Sequence, residues 1–203
     1  MPRATAAAAA ETARVVLAAA TELFGARGYA DVSLEDVAEA AGVTRGAVYH
    51  HYANKPGLFR AVAAGLQDAV AGSVVAAADA ASHGRATDAS GDTNSAFEEL
   101  RAGSHAFLDA ITAAPAARVL LVDAPAVIGW AEWRELDAAN SARHLREALA
   151  SLGTPDDLLD ALTAQLSGAM NEAALQLAAR PADASARAAA HRALDRLLEA
   201  AVA

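Results

Sequence analysis

Apolar positions recur at helical spacing almost from the start of the chain. Val15, Val16, Ala19, Leu23 and Phe24 fall at intervals of three, four and seven, one face of a helix that closes at Gly25–Gly28. A second, short helix is predicted from Ser33. Asp36 three positions on makes a variant capping box, and Leu34, Val37, Ala38 and Ala41 supply the apolar side. Gly42 and Val43 break that helix, and Thr44 caps a third one running to about Tyr52. Asn54-Lys55-Pro56 opens a fourth, reaching about Ala81, with proline in the first turn where its missing N–H costs nothing.

Residues 83–95, HGRATDASGDTNS, are the extended loop-like stretch. Ser95 and Glu98 form another capping box, and Phe97, Leu100, Ser104, Phe107 and Ile111 trace the helix that follows. Pro115 and Pro125 punctuate a shorter element over 116–123. A long helix is predicted from Ala126 to about Leu152, ended by Gly153. Thr154-Pro155-Asp156-Asp157 starts the next, with threonine as cap and carboxylates at the positive end of the helix dipole. It runs to Arg180, Pro181 stops it, and a last helix occupies about Asp183 to Ala201. Alanine, the best helix former, dominates the apolar residues and aromatics are only 4%, so the fold class is all-α.

Composition narrows the chemistry. The absence of cysteine excludes disulfides, thiolate-bound zinc and a cysteine nucleophile, and fits a reducing cytoplasm. The alanine run near the start is interrupted by Glu11 and Arg14 before any bulky apolar segment forms, which argues against a signal peptide. No stretch approaches the ~18 consecutive apolar residues of a membrane span. A cytoplasmic chain without a membrane partner is expected. No phosphate-binding glycine loop or metal-spaced His/Glu cluster is present, and Ser104-His105, adjacent on a helix, cannot face each other as nucleophile and base. The expectation is therefore no enzyme, no cofactor and no metal. The net charge is −9, yet residues 1–60 carry six basic and six acidic groups, so the whole excess lies beyond them. An acidic chain does not announce nucleic-acid binding; any such role must rest on a local motif.

That motif lies between the second and third helices, joined by a tight glycine-containing turn in a helix-turn-helix arrangement. Ala38 is small where the two helices cross, Gly42 suits a left-handed turn, and Val37, Val43 and Val48 bind the pair to the first helix. The third helix presents Arg45, Gly46, Ala47, Tyr49, His50 and His51 outward. His50-His51 does not read as a metal site, since adjacent residues point apart on a helix and no third ligand lies nearby.

The stretch SLEDVAEAAGVTRGAVYHHYANKPGLFRAV, residues 33–62, together with LFGARGY at 23–29, closely resembles the DNA-binding domain of the tetracycline-repressor (TetR) family. The resemblance implies an all-helical homodimeric transcription factor, usually a repressor, with an N-terminal domain that binds a palindromic operator in double-stranded DNA. A C-terminal domain would bind a small-molecule effector. The implied boundaries are 1–54 for the DNA-binding domain and 55–203 for the effector and dimerisation domain, with 55–81 as connecting helix. Carried over onto this chain, Arg45, Gly46 and Ala47 match base-reading positions, where Arg45 would bond guanine O6 and N7 and the Ala47 methyl would touch thymine. Tyr49, His51 and Lys55 match phosphate-holding positions, Ser33 and Thr44 add hydroxyl or backbone N–H contacts, and His50 serves either class. Pro56 and Gly57 depart from the family, whose members more often carry an acidic residue and alanine there. A helical adaptor without DNA binding stays open on the residues alone, and Arg45 discriminates it.

Residues 118–137, RVLLVDAPAVIGWAEWRELD, resemble the C-terminal domain of one TetR-like subgroup. Trp130 and Trp133, at i and i+3, share a helix face. With Phe97, Phe107, Leu121, Met170 and a few polar groups (His105, Asp123, His144, Asn171) they fit two readings, the wall of an apolar effector pocket or plain core. The ligand of such a pocket is expected to be apolar or aromatic. Leu158, Leu159, Leu162, Leu166, Ala169, Ala173 and Leu177 form one stripe, and Ala190, Leu194, Leu197 and Leu198 another. They predict a dimer interface in which two helices from each partner make a four-helix bundle.

Overall fold

A computed structural model of the chain describes residues 2–83 and 92–202. The described residues form helices throughout and divide into two compact units, one of residues up to Leu66 with Ala114–Trp133, the other of Gln67–Ala113 with Arg134–Ala203. The first unit thus reaches past residue 54 and takes in a segment from the middle of the chain.

The first unit contains α1 (Pro2–Arg27), α2 (Leu34–Ala41), α3 (Arg45–Tyr52), the start of α4 (Lys55–His83), a π-helical turn at Ala117–Asp123, α6 (Ala124–Val127) and the first residues of α7 (Trp130–Ala139); α5 lies in the second unit. At 26 residues, α1 is far longer than the short first helix of a minimal three-helix domain. Its apolar stripe buries Val16, Ala20 and Phe24 completely. Val37 of α2, Val48 of α3 and Leu58 and Phe59 of α4 close over them, all without exposure. The small residue in α1 has a packing reason. A Cβ on Gly25 would lie 2.2 Å from Pro115 Cβ and 3.0 Å from Pro115 Cα. Glycine to alanine normally stabilises a helix interior by up to about 1 kcal/mol. Here Gly25→Ala is expected instead to destabilise by about 1–3 kcal/mol, the usual range for an overpacked core. Urea unfolding of the variant decides the sign.

The second unit holds the remainder of α4 and α7, together with α5 (Asp92–Thr112), α8 (Ser141–Ser151), α9 (Asp156–Ala178) and α10 (Ala184–Ala201). Leu108, Ile111 and Leu149 are fully buried among α5, α8 and α9, and Leu198 of α10 is equally enclosed.

Several element boundaries differ from those the pattern predicts. Most of the loop-like stretch 83–95, residues 84–91, lies outside the described residues, but α5 begins at Asp92. Ser95 is therefore inside the helix, and its hydroxyl bonds Glu99 at 3.2 Å rather than capping a start with Glu98. The long helix expected over 126–152 is three pieces. Gly129 takes a left-handed φ of +87° between α6 and α7, and Asn140, at φ −114° and ψ −106°, separates α7 from α8. Pro125 sits in the first turn of α6, where proline is tolerated, instead of closing the element before it. Thr154 caps nothing: its hydroxyl is buried without a partner, and Pro155 stands at the cap position of α9. By length and mean hydropathy α4 would suffice to cross a membrane, although Gln67 and Asp68 interrupt its apolar character midway.

Candidate functional site

The helix-turn-helix is assembled by local rules. The Ser33 hydroxyl accepts the Asp36 N–H at 3.0 Å, and the Asp36 carboxylate accepts the Ser33 N–H at 2.7 Å and its hydroxyl at 2.8 Å. Those bonds hold the Asp36 carboxyl below the usual carboxylate range, the Ser33 backbone N–H contributing most. They also commit Ser33: both of its donors point at a carboxylate. Gly42 closes α2 at φ +66°, and the N–H of Val43 returns to the Ala38 carbonyl at 3.0 Å. Thr44 then caps α3 by accepting the Ala47 N–H at 3.2 Å. Val48 is the buried anchor of α3, while Arg45, Gly46, Tyr49 and His50 are exposed and Ala47 and His51 half-exposed. Tyr52 turns inward and donates its hydroxyl to the Ala13 carbonyl of α1 at 2.8 Å; burial pushes its phenol up.

The exposed face is not idle. Arg45 forms an ion pair with Glu35 of α2, donates to the Tyr49 hydroxyl at 2.9 Å, and lies 5.1 Å from the centre of that ring. Lys55 donates to the Ala30 carbonyl at 3.3 Å and sits 4.2 Å from the Tyr29 ring centre. The His50 and His51 rings meet edge to face at 5.2 Å instead of pointing apart, and among the described residues no group of three or more acidic or histidine side chains is set to hold a metal ion. A Cβ on Gly46 would touch only Thr44 Oγ1, at an ordinary 3.8 Å, so nothing among the described residues demands glycine there.

The second unit contains a cavity of about 230 Å³ walled by α4, α5, α7, α8 and α9. Phe107 and Met170 line it, as does His144. The other predicted pocket residues do not meet there. Trp130, Trp133 and Asp123 belong to the first unit. Trp130 is 66% exposed and its ring lies tilted at 33°, 5.0 Å from that of Trp133, which is buried and donates its indole N–H to the Leu120 carbonyl at 2.8 Å. Asp123 accepts the Tyr29 N–H at 2.9 Å, and Leu121 is core. Phe97 is half-buried away from the cavity, and His105 pairs with Asp195 at 2.7 Å while its ring meets His191. Asn171 is buried behind the wall, reaching Asp137 at 3.4 Å. Asp137 itself, which the pattern did not single out, lines the cavity with its carboxylate bonded to Ser167 and Arg134, each at 2.9 Å. Burial pushes that carboxyl up, against the pull of Ser167, Arg134 and Asn171.

The leucine stripes divide as well. Leu159, Leu166, Leu177, Leu194 and Leu198 face the core of their own unit, whereas Leu158 and Leu197 are about half exposed. Leu162 is intermediate, and Ala169, Ala173 and Ala190 line a shallow groove between α9 and α10.

Residues 16–62 match the family described as bacterial regulatory proteins, tetR family. Residues 97–201 match the tetracyclin repressor-like C-terminal domain, which alone spans more than half of the chain. A TetR-family transcriptional regulator of Pectobacterium atrosepticum is 30% identical, with a TM-score of 0.69 and 96% of each chain covered. The chain belongs to the TetR family. Among curated relatives, this TetR-family chain is 48% identical to the HTH-type transcriptional regulator SrpR of Pseudomonas putida over 67 residues, 33% of its own length and 32% of that protein's. It is 44% identical to the regulator TtgR of the same species over 68 residues, 34% of its own length and 32% of TtgR's. The chain thus spans about a third of the length of these two curated relatives. A fatty acid degradation regulator of Bacillus halodurans, 16% identical with a TM-score of 0.69 over 92% of this chain and 94% of that one, shares the fold.

Gly57 has a steric reason. The turn from α3 passes through Ala53 at φ +58°, and the Gly57 N–H donates to Asn54 Oδ1 at 2.8 Å. A Cβ on Gly57 would sit 2.4 Å from the Tyr52 carbonyl oxygen, so alanine cannot be accommodated there without moving the turn.

Proposed function

We propose that the protein is a ligand-responsive repressor whose homodimer holds a palindromic operator through α3 of each subunit and is released by a small apolar or aromatic effector. The observation that carries the reading is α3 itself: Val48 is pinned under it, while Arg45 and Gly46 are exposed and Ala47 half-exposed along its outer side, and no described residue needs glycine at 46. In this reading Arg45 takes guanine O6 and N7, Ala47 contacts a thymine methyl, and the bare Gly46 lets the backbone approach the groove. Tyr49, His50, His51, Lys55 and the N-terminus of α3 at Thr44 fix the phosphates. Ser33 contributes no hydroxyl proton, since Asp36 already takes it. The functional division is 1–54 for DNA and 55–203 for effector and partner, with α4 running continuously from one role to the other.

The groove between α9 and α10, with exposed Leu197 and the alanines at 169, 173 and 190, supports close helix approach by a second copy. Effector and operator lower each other's affinity reciprocally, through the cavity of the second unit. Selection of bound fragments from random DNA tests the whole scheme. The expected product is a palindrome whose half-sites are centred about one helical turn, or a multiple of it, apart, bound less tightly as salt rises. Fragments enriched without symmetry, or no enrichment at all, overturn it.

A further inference from the structure

The cavity in the second unit has a one-sided charge. Among the described residues its titratable lining consists of Asp79, Glu99, Asp137 and His144, with no lysine or arginine. The nearby arginine, Arg134, is engaged by Asp137 at 2.9 Å and by the Ser167 hydroxyl at 3.3 Å. Polar oxygens gather at the same wall. Asp137 is 1% exposed and bonded by Ser167. Ser141, at the start of α8, is 6% exposed, lines the cavity, and its hydroxyl has no partner among the described residues. A buried hydroxyl left without a partner costs stability until something satisfies it. Besides Asp79, Glu99, His144 and the serines at 104 and 151, the remaining lining is apolar or glycine.

Resting on the reading of this cavity as the effector site, we propose that its ligand class is the lipophilic amine: an apolar body against Leu100, Phe107, Leu145 and Met170, and a protonated nitrogen directed to Asp137 and Ser141. An ammonium group has donors only, matching a carboxylate and an unpaired hydroxyl oxygen. A carboxylate-bearing ligand of the same shape would be desolvated next to three acids, with no uncommitted cation among the described lining residues to meet it. A neutral hydrocarbon would leave the Ser141 hydroxyl as it stands. The nine-charge acidic excess of the chain beyond residue 60 favours the approach of cations in the same sense.

Three matched probes separate the possibilities: phenylbutylamine, phenylbutanol and phenylbutanoate, titrated calorimetrically into the full-length protein at neutral pH and tested for release of a selected operator. The amine is expected to bind about tenfold or more tightly than either counterpart, the size expected of one charge-assisted hydrogen bond. Asp137→Asn is expected to remove most of that preference while binding of the alcohol changes little, and Ser141→Ala to reduce it in part. Glu99→Gln supplies a second acid variant should Asp137→Asn melt below the assay temperature. Equal or tighter binding of the alcohol or the carboxylate with operator release overturns the amine assignment and leaves the effector site standing. Binding of none of the three, or binding that survives filling the cavity by Ala142→Phe, overturns the effector site and the amine with it.

Discussion

Phe59→Ala is expected to destabilise the DNA-binding unit by about 3–5 kcal/mol, the range for removing a buried aromatic ring. The ring is wholly enclosed. Its edge meets Phe24 of α1 at 5.2 Å and 77°, and Tyr29, in the turn leaving α1, at 5.0 Å and 74°. Three of the few aromatics in this alanine-rich chain are thereby spent on one cluster, and the surrounding side chains are too small and too constrained by helix geometry to collapse into the vacated space. Such edge-to-face pairs add about 0.5–1.5 kcal/mol beyond burial. Part of the loss should therefore appear as coupling in a cycle with Phe24→Ala. Far-ultraviolet dichroism against urea measures both terms. Since α3 rests on this core through Val48, operator binding should fall with the folded fraction and recover when temperature is lowered. A loss below about 1 kcal/mol, well under the range for such rings, would show that the cluster is not what holds α1 to α4.

The parts of this fold written in short-range code were legible from the residues. Ser33 with Asp36, Gly42 and Thr44 act within one turn of where they stand, so the helix-turn-helix could be placed almost to the residue. Longer-range arrangements were not. Alanine and leucine keep helical spacing through 126–152, and that periodicity outweighed the two local break signals within it, Gly129 at a left-handed φ and Asn140. The tryptophans share a face as their spacing requires, but spacing does not say what that face meets; Trp133 turned out to anchor the π-helical turn through Leu120. A leucine repeat likewise looks the same whether it faces its own core, as Leu166 and Leu198 do, or lies half exposed like Leu197. Asp137 carried only the signal of one more acid on a helix that also holds Glu132 and Glu135. Its burial beside Ser167, 30 residues away, is a tertiary fact.

Arg45→Ala is expected to lower affinity for a selected operator about tenfold or more per half-site, and so by about the square of that for a symmetric dimer, the loss expected of a bidentate arginine–guanine pair. Binding to unrelated DNA should change far less, because phosphate contacts supply it. Arg45→Lys distinguishes the two kinds of contact: it keeps the charge but not the planar fork, so it should restore non-specific affinity and leave selectivity lost. The unbound geometry adds a constraint. Arg45 is held by Glu35 and by the Tyr49 hydroxyl, so reaching a base means giving up an ion pair that is itself exposed and weak. Glu35→Gln should then tighten specific binding by a few-fold, through a freed arginine and one fewer acid near the phosphates. In an Arg45→Ala background the first of these gains has nothing to act on, and the residual benefit should be smaller and equal for specific and random DNA. Filter binding of the four proteins to both DNAs closes the cycle. If Glu35→Gln helps as much without Arg45 as with it, the pair is a surface contact and α3 reads its site by other means.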